Sequence, residues 1–380
     1  MDFTPTEEQT AVRELAARIF TDLSTHERLG AAGGGTDAEL WKALCAAGLP
    51  GAVEETGLLG LVLLLEEQGR VTAQVPLAAG CAYGILAVSR HGTDEQRGRL
   101  LPGLRDGTTV VTGAFPATGT GTGTGTVTSR DGRLSGAVEW VPWLRDATHV
   151  LVPDEERTLW LVRTEDAARI DPVELTAPWS AGRLVLDGTP GERLGGPGGD
   201  PNPDTYPHTK PRPDTNPRSN PDPHPHPHPD PYADVLAAAR IAFAGLQAGV
   251  CAGSLARAVE YTSVREQFGR PLSTHQAVQL RAADAYMDTE AIRVTAYEAA
   301  WRFDEGLDVG EAALTTAWWA SEAGKRVVHA GQHLHGGMGA DLDHPVHRHF
   351  LWGRQLDAYL GCGTELLAEL GDLLAEGDAS

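Results

Sequence analysis

Apolar positions recur along this chain with two different periods, and the period changes twice. From the N-terminus they fall three and four apart, as in Val12, Leu15, Ala16, Ile19 and Phe20, a spacing that puts them on one face of a helix. The pattern predicts a first helix with Thr4 as its N-cap, Pro5 at its first position and Glu7 three residues after the cap. Helical stretches follow at "AELWKALCAAGL", "LLGLVLLLEEQGR" and "TDEQRGRLLPGLRDG", the last capped by Thr93. Residues 1–107 therefore read as a helical domain.

At Thr108 the texture changes. Short β-branched or aromatic runs, "TTVVTGAF", "GRLSGAVEWV", "THVLVP", "TLWLVRT" and "RLVLDG", are separated by turn residues such as "RDG". They predict a small β domain over residues 108–196. The helical period returns in "ADVLAAARIAFAGLQAGVCAGSLARAVEYTSVREQFG" and continues to a last helix from about Thr364, so residues 233–380 read as a helical bundle. The expected class is α+β, in the order helices, strands, helices.

Two segments fit neither layer. "TGTGTGTGT" (residues 118–126) has almost nothing to bury and reads as a flexible surface loop. Residues 197–232, ending "PDPHPHPHPDPY", hold about half of the 25 prolines and read as an extended or disordered insertion. His224, His226 and His228 lie there without the fixed geometry or supporting hydrogen bonds of a metal site. No functional metal is assigned.

Composition narrows the partners. A formal charge of −21 repels nucleic-acid phosphates and anionic membrane surfaces. The start, "MDFTPTEEQ", lacks the basic and apolar regions of a secretory leader. The longer apolar runs are interrupted before the length of a membrane span. A soluble cytoplasmic protein is expected. Four scattered cysteines, Cys45, Cys81, Cys251 and Cys362, form neither a CxxC pair nor a disulfide framework.

Two motifs carry candidate chemistry. In "YTSVREQFGRPLSTHQ", Arg265 closes a helix, Gly269 ends it, Pro271 forbids its return, and Ser273 or Thr274 caps the next one. The bland alternative is a plain helical hairpin. Against it, Arg265, Phe268 and Gln276 set a permanent cation, an aromatic face and an amide around one turn, a set suited to a phosphate and a flat ring. In "HAGQHLHGGMGADLDHPVHRHF", Gly336, Gly337 and Gly339 break a helix and free backbone N–H groups, with Gln332 one turn earlier. The histidines at 333, 335, 347 and 349 read as solvated or capping rather than metal-binding. Cys362, between two glycines in "DAYLGCGTELL", has no identified activator and reads equally as a small buried hydrophobe.

With these residues in view, the chain resembles the acyl-CoA dehydrogenase family over nearly its whole length. The family's Arg-x-x-Phe-Gly and downstream Gln fall on Arg265, Phe268, Gly269 and Gln276. Its Gln-x-x-x-Gly-Gly-x-Gly falls on Gln332, Gly336, Gly337 and Gly339, and its Pro-x-x-Arg on Pro345 and Arg348. The resemblance implies an N-terminal helical domain, a middle β-barrel or sandwich and a C-terminal four-helix bundle. It also implies FAD, an acyl thioester on CoA or a carrier protein, and a homo- or hetero-dimer or tetramer. In such proteins the Arg, Phe and Gln motif of one subunit reaches the FAD of its neighbour, and the Gly-Gly turn packs on the adenosine end.

The departures from the family concern the substrate. The usual catalytic Glu before Gly-Thr is replaced by Cys362, although Gly363 and Thr364 survive. A minority of the family carries the base just before an Arg that matches Arg240, the substrate-side residue, and that position is Ala239. An Asp for pantetheine is replaced by Ala237, and "GAFPATGTGTGTGT" stands where the β-domain signature is expected. Trp140 and Trp143 remain near the flavin face. These features imply a base-less subunit that completes the FAD site of a heteromeric α,β-desaturating dehydrogenase. The alternatives are a divergent oxidase, desaturase or monooxygenase of this fold, or a non-catalytic assembly protein.

Overall fold

The structure, a computed structural model, describes residues 3–31, 33–115, 127–196 and 230–377. Its N-terminal part is helical: α1 (Glu7–Leu23), α2 (His26–Ala31), α3 (Ala38–Ala46), α4 (Leu49–Val71), α5 (Leu77–Ala79), α6 (Ala87–His91) and α7 (Asp94–Asp106), with a wide π-helical turn, Gly80–Leu86, joining α5 to α6. The first cap is Thr6, not Thr4. Its hydroxyl and the Gln9 side chain form a reciprocal capping box, so the helix starts two residues later than the Pro5 signal indicates. Thr93 caps α7 in the same way, with Gln96.

Among the described residues, the β region forms two four-stranded sheets. One holds β1 (Val111–Gly113), β4 (His149–Pro153), β5 (Leu159–Arg163) and β8 (Glu192–Arg193). The other holds β2 (Thr128–Arg130), β3 (Arg133–Val141), β7 (Gly182–Pro190) and β6 (Arg169–Pro172). Among the described residues, only β1 and β4 pair in parallel. Inward residues such as Leu134, Val138, Val150, Val162 and Leu184 form a sandwich core. The short β2, β6 and β8 escaped the sequence reading because they are small polar edge strands.

The C-terminal bundle comprises α8 (Pro231–Val264), α9 (Gln276–Asp304), α10 (Gly310–Leu334), α11 (Val346–Ala358) and α12 (Gly363–Gly377), with a hairpin, β9 (Glu266–Gln267) and β10 (Arg270–Pro271), between α8 and α9. Helix α8 is long and apolar enough to cross a membrane, contrary to the reading of interrupted runs. Yet 94% of its most apolar window is buried inside the protein. It is the central core helix. Its stripe Gly245, Gly249 and Gly253 lies against α4, where a Cβ at Gly249 would collide with the Glu66 carbonyl and one at Gly69 with the Leu246 carbonyl. The stripe sets the depth at which the N-terminal helices dock. The Thr-Gly repeat and the segment with His224, His226 and His228 lie outside the described residues, except that Asp230 caps α8 and Pro231 and Tyr232 are already helical.

Candidate functional site

The residues of the two motifs lie together at the far end of α8. The helix stops at Val264, and Arg265 is its C-cap. Gly269 does not end the helix as expected. Phe268 and Gly269 both have positive φ, 55° and 77°, and form the two-residue turn of the β9–β10 hairpin, a geometry whose twist suits a tight hairpin. Ser273 and Thr274 do not cap α9 either: they sit in a 3₁₀ turn, and His275 occupies the cap position without a side-chain bond. Tyr261, one turn before Arg265, stacks on His335, the residue before Gly336, at 4.9 Å and 21°. That stack holds the two motifs side by side.

This end of the molecule is open. Phe268 is 91% exposed, and Arg265 and Gln276 are exposed with no side-chain hydrogen bond or ion pair among the described residues. Gly336 has φ 62°, and a Cβ at Gly336 or Gly337 would meet nothing within 4 Å. Gln332 donates to the Gly339 carbonyl at 3.3 Å. Val264, Leu280, Tyr286 and Met287 are exposed apolar side chains of the same helices. An unpaired guanidinium, an amide, an aromatic face and bare backbone fit the phosphates and rings of a dinucleotide approaching from outside the chain.

The positions that the resemblance links to proton abstraction are reached at the other end of α8. Arg240 is buried, and its two Nη atoms donate to Glu369 of α12 at 2.9 and 2.7 Å. Its guanidinium is thereby engaged by the protein itself. Ala239 is fully buried. Cys362 immediately precedes α12: its N–H donates to Glu365 at 3.0 Å, and its Sγ lies 3.4 Å from the Thr364 hydroxyl. Thr364 is exposed. Trp140 packs on Tyr359 at 5.5 Å, and Trp143 stacks on Trp179.

Between these positions stand residues that the sequence reading passed over. The Tyr83 and Tyr359 hydroxyls meet at 2.7 Å, and Phe243 lies 4.6 Å from the Tyr359 ring. Glu369 is two helical turns beyond Cys362, and that spacing was the one available signal for its placement. Two of the four motif histidines are not solvated. His335 and His349 are buried and bond to the Gly331 and Arg70 carbonyls at 2.7 and 2.9 Å. Among the described residues, no group of three His, Cys, Asp or Glu side chains gathers as a metal site.

Residues 6–108 match the acyl-CoA dehydrogenase N-terminal domain, and residues 233–368 match the acyl-CoA dehydrogenase C-terminal domain. The chain is 31% identical to acyl-CoA dehydrogenase FadE27 of Mycobacterium tuberculosis, with 99% of each covered. Among solved structures, it is 39% identical to the Tcur3481-Tcur3483 steroid ACAD, covering 98% of this chain and 99% of that one with a TM-score of 0.84. It is 29% identical to a chain of the ChsE4-ChsE5 complex from Mycobacterium tuberculosis, covering 99% of both with a TM-score of 0.83. With its fold shared end to end and both helical regions carrying the same domain patterns, the chain belongs to the acyl-CoA dehydrogenase family.

Proposed function

We propose that this chain is the base-less subunit of a heteromeric acyl-CoA dehydrogenase, and that it completes an FAD site held mainly by a paralogue. The observation that carries this reading is a length. Arg240 lies on α8 and Arg265, 25 residues on, is the C-cap of that helix, so at 1.5 Å per residue they are separated by about 37 Å. One dinucleotide does not span that distance and still put its ring beside Cys362. The open set of Arg265, Phe268, Gln276, Gln332, Gly336 and Gly337 is therefore directed at a cofactor seated on another chain, and the exposed Val264, Leu280, Tyr286 and Met287 offer the apolar surface for that chain to cover.

Arg265 would set a charge against the cofactor's phosphates, Gln276 and Gln332 would offer amide donors to it, and the Gly336–Gly337 backbone would permit close approach of its adenosine. FAD, when bound, supplies the hydride acceptor. The α-proton of the acyl thioester goes to a carboxylate of the partner, since positions 239 and 362 here hold Ala and Cys. Support for a two-chain assembly also comes from ChsE4-ChsE5, a complex of this fold. The relative described as a steroid ACAD places steroid-derived thioesters among those to assay.

The test is co-purification with a paralogue that retains the Glu, recording flavin absorbance and mass. A yellow heteromer, with little flavin on this chain alone, is expected. A flavin-loaded homomer that oxidises acyl-CoA would overturn the proposal.

A further inference from the structure

We infer that Tyr261, His335 and His344 form a three-ring clamp that positions the Gly336–Gly337 turn against Arg265, so that the two motifs meet one dinucleotide as a single preset surface. The inference rests on the cofactor-completing role proposed above. The three rings act through Arg265 and Gly336 rather than on the cofactor directly.

The two motifs are carried by different helices, and both run out into solvent. Every residue from Ser263 to Arg270 is exposed, and so are Gly336, Gly337 and Met338. Two arms that leave the core separately must be ordered when a ligand is gripped, and that ordering subtracts from affinity unless it is already in place. Tyr261 is the last aromatic side chain before the first exposed stretch, and the buried His335 immediately precedes the second. Their stack at 4.9 Å and 21° joins the arms where each leaves the core.

His335 is fixed by two further contacts. A carbonyl only accepts, so Nδ1 carries the proton that it donates to the Gly331 carbonyl at 2.7 Å, which sets the tautomer and the ring plane. The His344 ring packs on it at 4.9 Å and 60°. His344 belongs to the entry into α11: its N–H donates to the Asp341 carbonyl at 3.1 Å, its Nδ1 accepts from the Val346 N–H at 3.3 Å, and its carbonyl accepts from His347 Nδ1 at 2.6 Å. The rings therefore tie α8, the end of α10 and the start of α11 together. His335 is the C-cap of α10, and Gly336, with φ 62°, reverses the chain directly after it, so the clamp grips the residue from which the turn starts. A Cβ at Gly339 would come within 2.3 Å of the Gln332 carbonyl; the turn closes onto the helical residue that carries the motif's amide.

The groups around the clamp favour neutral imidazoles. Burial, then His335 and Arg257, hold His344 below the ordinary histidine value; His26 acts the same way and Asp341 opposes it. A group lowered in this way contributes stability that is present above its ordinary value and is lost as pH falls below it, so the clamp loosens below about pH 6.5.

The experiment uses the heteromer with a Glu-bearing paralogue, loaded with FAD, and reads flavin release on dilution for wild type, Tyr261→Phe, Tyr261→Ala and Arg265→Ala. Tyr261→Phe keeps the stacking plane and should hold flavin within about twofold of wild type, whereas Tyr261→Ala should bind it about 3- to 10-fold more weakly, with kcat restored by excess FAD. In the flavin-free chain, hydrogen exchange over residues 331–344 should quicken in Tyr261→Ala and not in Tyr261→Phe. Flavin release from wild type should rise below about pH 6.5, and His344→Phe, which keeps a ring and cannot charge, should flatten that rise. If Tyr261→Ala does not assemble, Tyr261→Leu, which fills the space without an aromatic plane, is held to the same readings. Unchanged flavin retention in the Ala or Leu variant, equal losses in Tyr261→Phe and Tyr261→Ala, or a pH dependence that His344→Phe leaves intact overturns the inference. The two proposals fail separately. Flavin released by Arg265→Ala but retained by Tyr261→Ala sinks the clamp alone, whereas flavin that ignores Arg265→Ala sinks the cofactor role itself.

Discussion

Arg240 and Glu369 form a two-pronged ion pair, with both Nη atoms on one carboxylate at 2.9 and 2.7 Å, that fastens the last helix to the central one. Arg240 is buried, while Glu369 keeps an edge in solvent. Removing the carboxylate alone strands a buried cation, whereas replacing both partners with apolar residues does not. Glu369→Gln is expected to cost about 2 kcal/mol, and Arg240→Met/Glu369→Leu to regain most of it. Denaturant melts of the three proteins measure this; a double variant no more stable than the single one contradicts it.

Arg265→Ala in the assembled heteromer removes one charge-assisted phosphate contact. A loss of about 1.5 to 3 kcal/mol corresponds to flavin binding about 10- to 150-fold more weakly. Flavin release on dilution, followed by fluorescence, reads the change, and unchanged retention is the contrary result.

Cys362→Ala separates a filler from a proton acceptor. In the assembled enzyme, turnover should stay within about twofold. A general base contributes about 10²- to 10⁴-fold, so a fall of that size with flavin still bound makes this chain the catalyst.

The stability of the chain in mild acid reflects two buried groups acting in opposite directions. Burial pushes Asp304, which accepts the Leu58 and Leu59 N–H groups at 2.7 and 2.9 Å, up to about 6. Its folded form then binds a proton more tightly than the unfolded one, so its share of stability rises as pH falls from about 6 to 4. Burial lowers His349 to about 4, and its share is lost as pH falls from about 6.5 to 4. Each change amounts to about 3 kcal/mol. Asp304→Asn should leave the His349 loss unopposed and steepen acid destabilisation relative to wild type over that window. Unfolding free energies at pH 4, 5 and 6.5 test the sign.

Gly249→Ala drives a methyl group into the Glu66 carbonyl, backbone against backbone, and should cost about 3 kcal/mol. Gly98→Ala, in α7 with nothing within 4 Å of the new methyl, should be neutral or stabilise by up to about 1 kcal/mol. Equal effects at the two sites would show that the α4–α8 contact is looser than the structure has it.

The sequence by itself determined the principal helices and strands and their order. The spacing of Val12, Ala16 and Phe20, the Thr93 cap and the alternation in β3 are local facts, and 3.6-residue and 2-residue periods translate directly into helix and strand faces. The Arg265 and Gly336 motifs were legible for the same reason, since each lies within a dozen residues of chain. Boundaries were less so: Thr6 won the cap over Thr4 because its partner Gln9 completes a reciprocal pair, and α8 stopped short of Gly269 because Arg265 turns extended as its C-cap, with Phe268 and Gly269 left to form the hairpin turn. Only the tertiary structure decided what faces what. Tyr83 and Tyr359 are 276 residues apart, and Arg240 and Glu369 are 129 apart. No periodicity joins residues at such separations, because the contact exists only once the sandwich, the central helix and the last helix have packed. The roughly 37 Å between Arg240 and Arg265 likewise became a length only because the single helix α8 runs from one to the cap formed by the other.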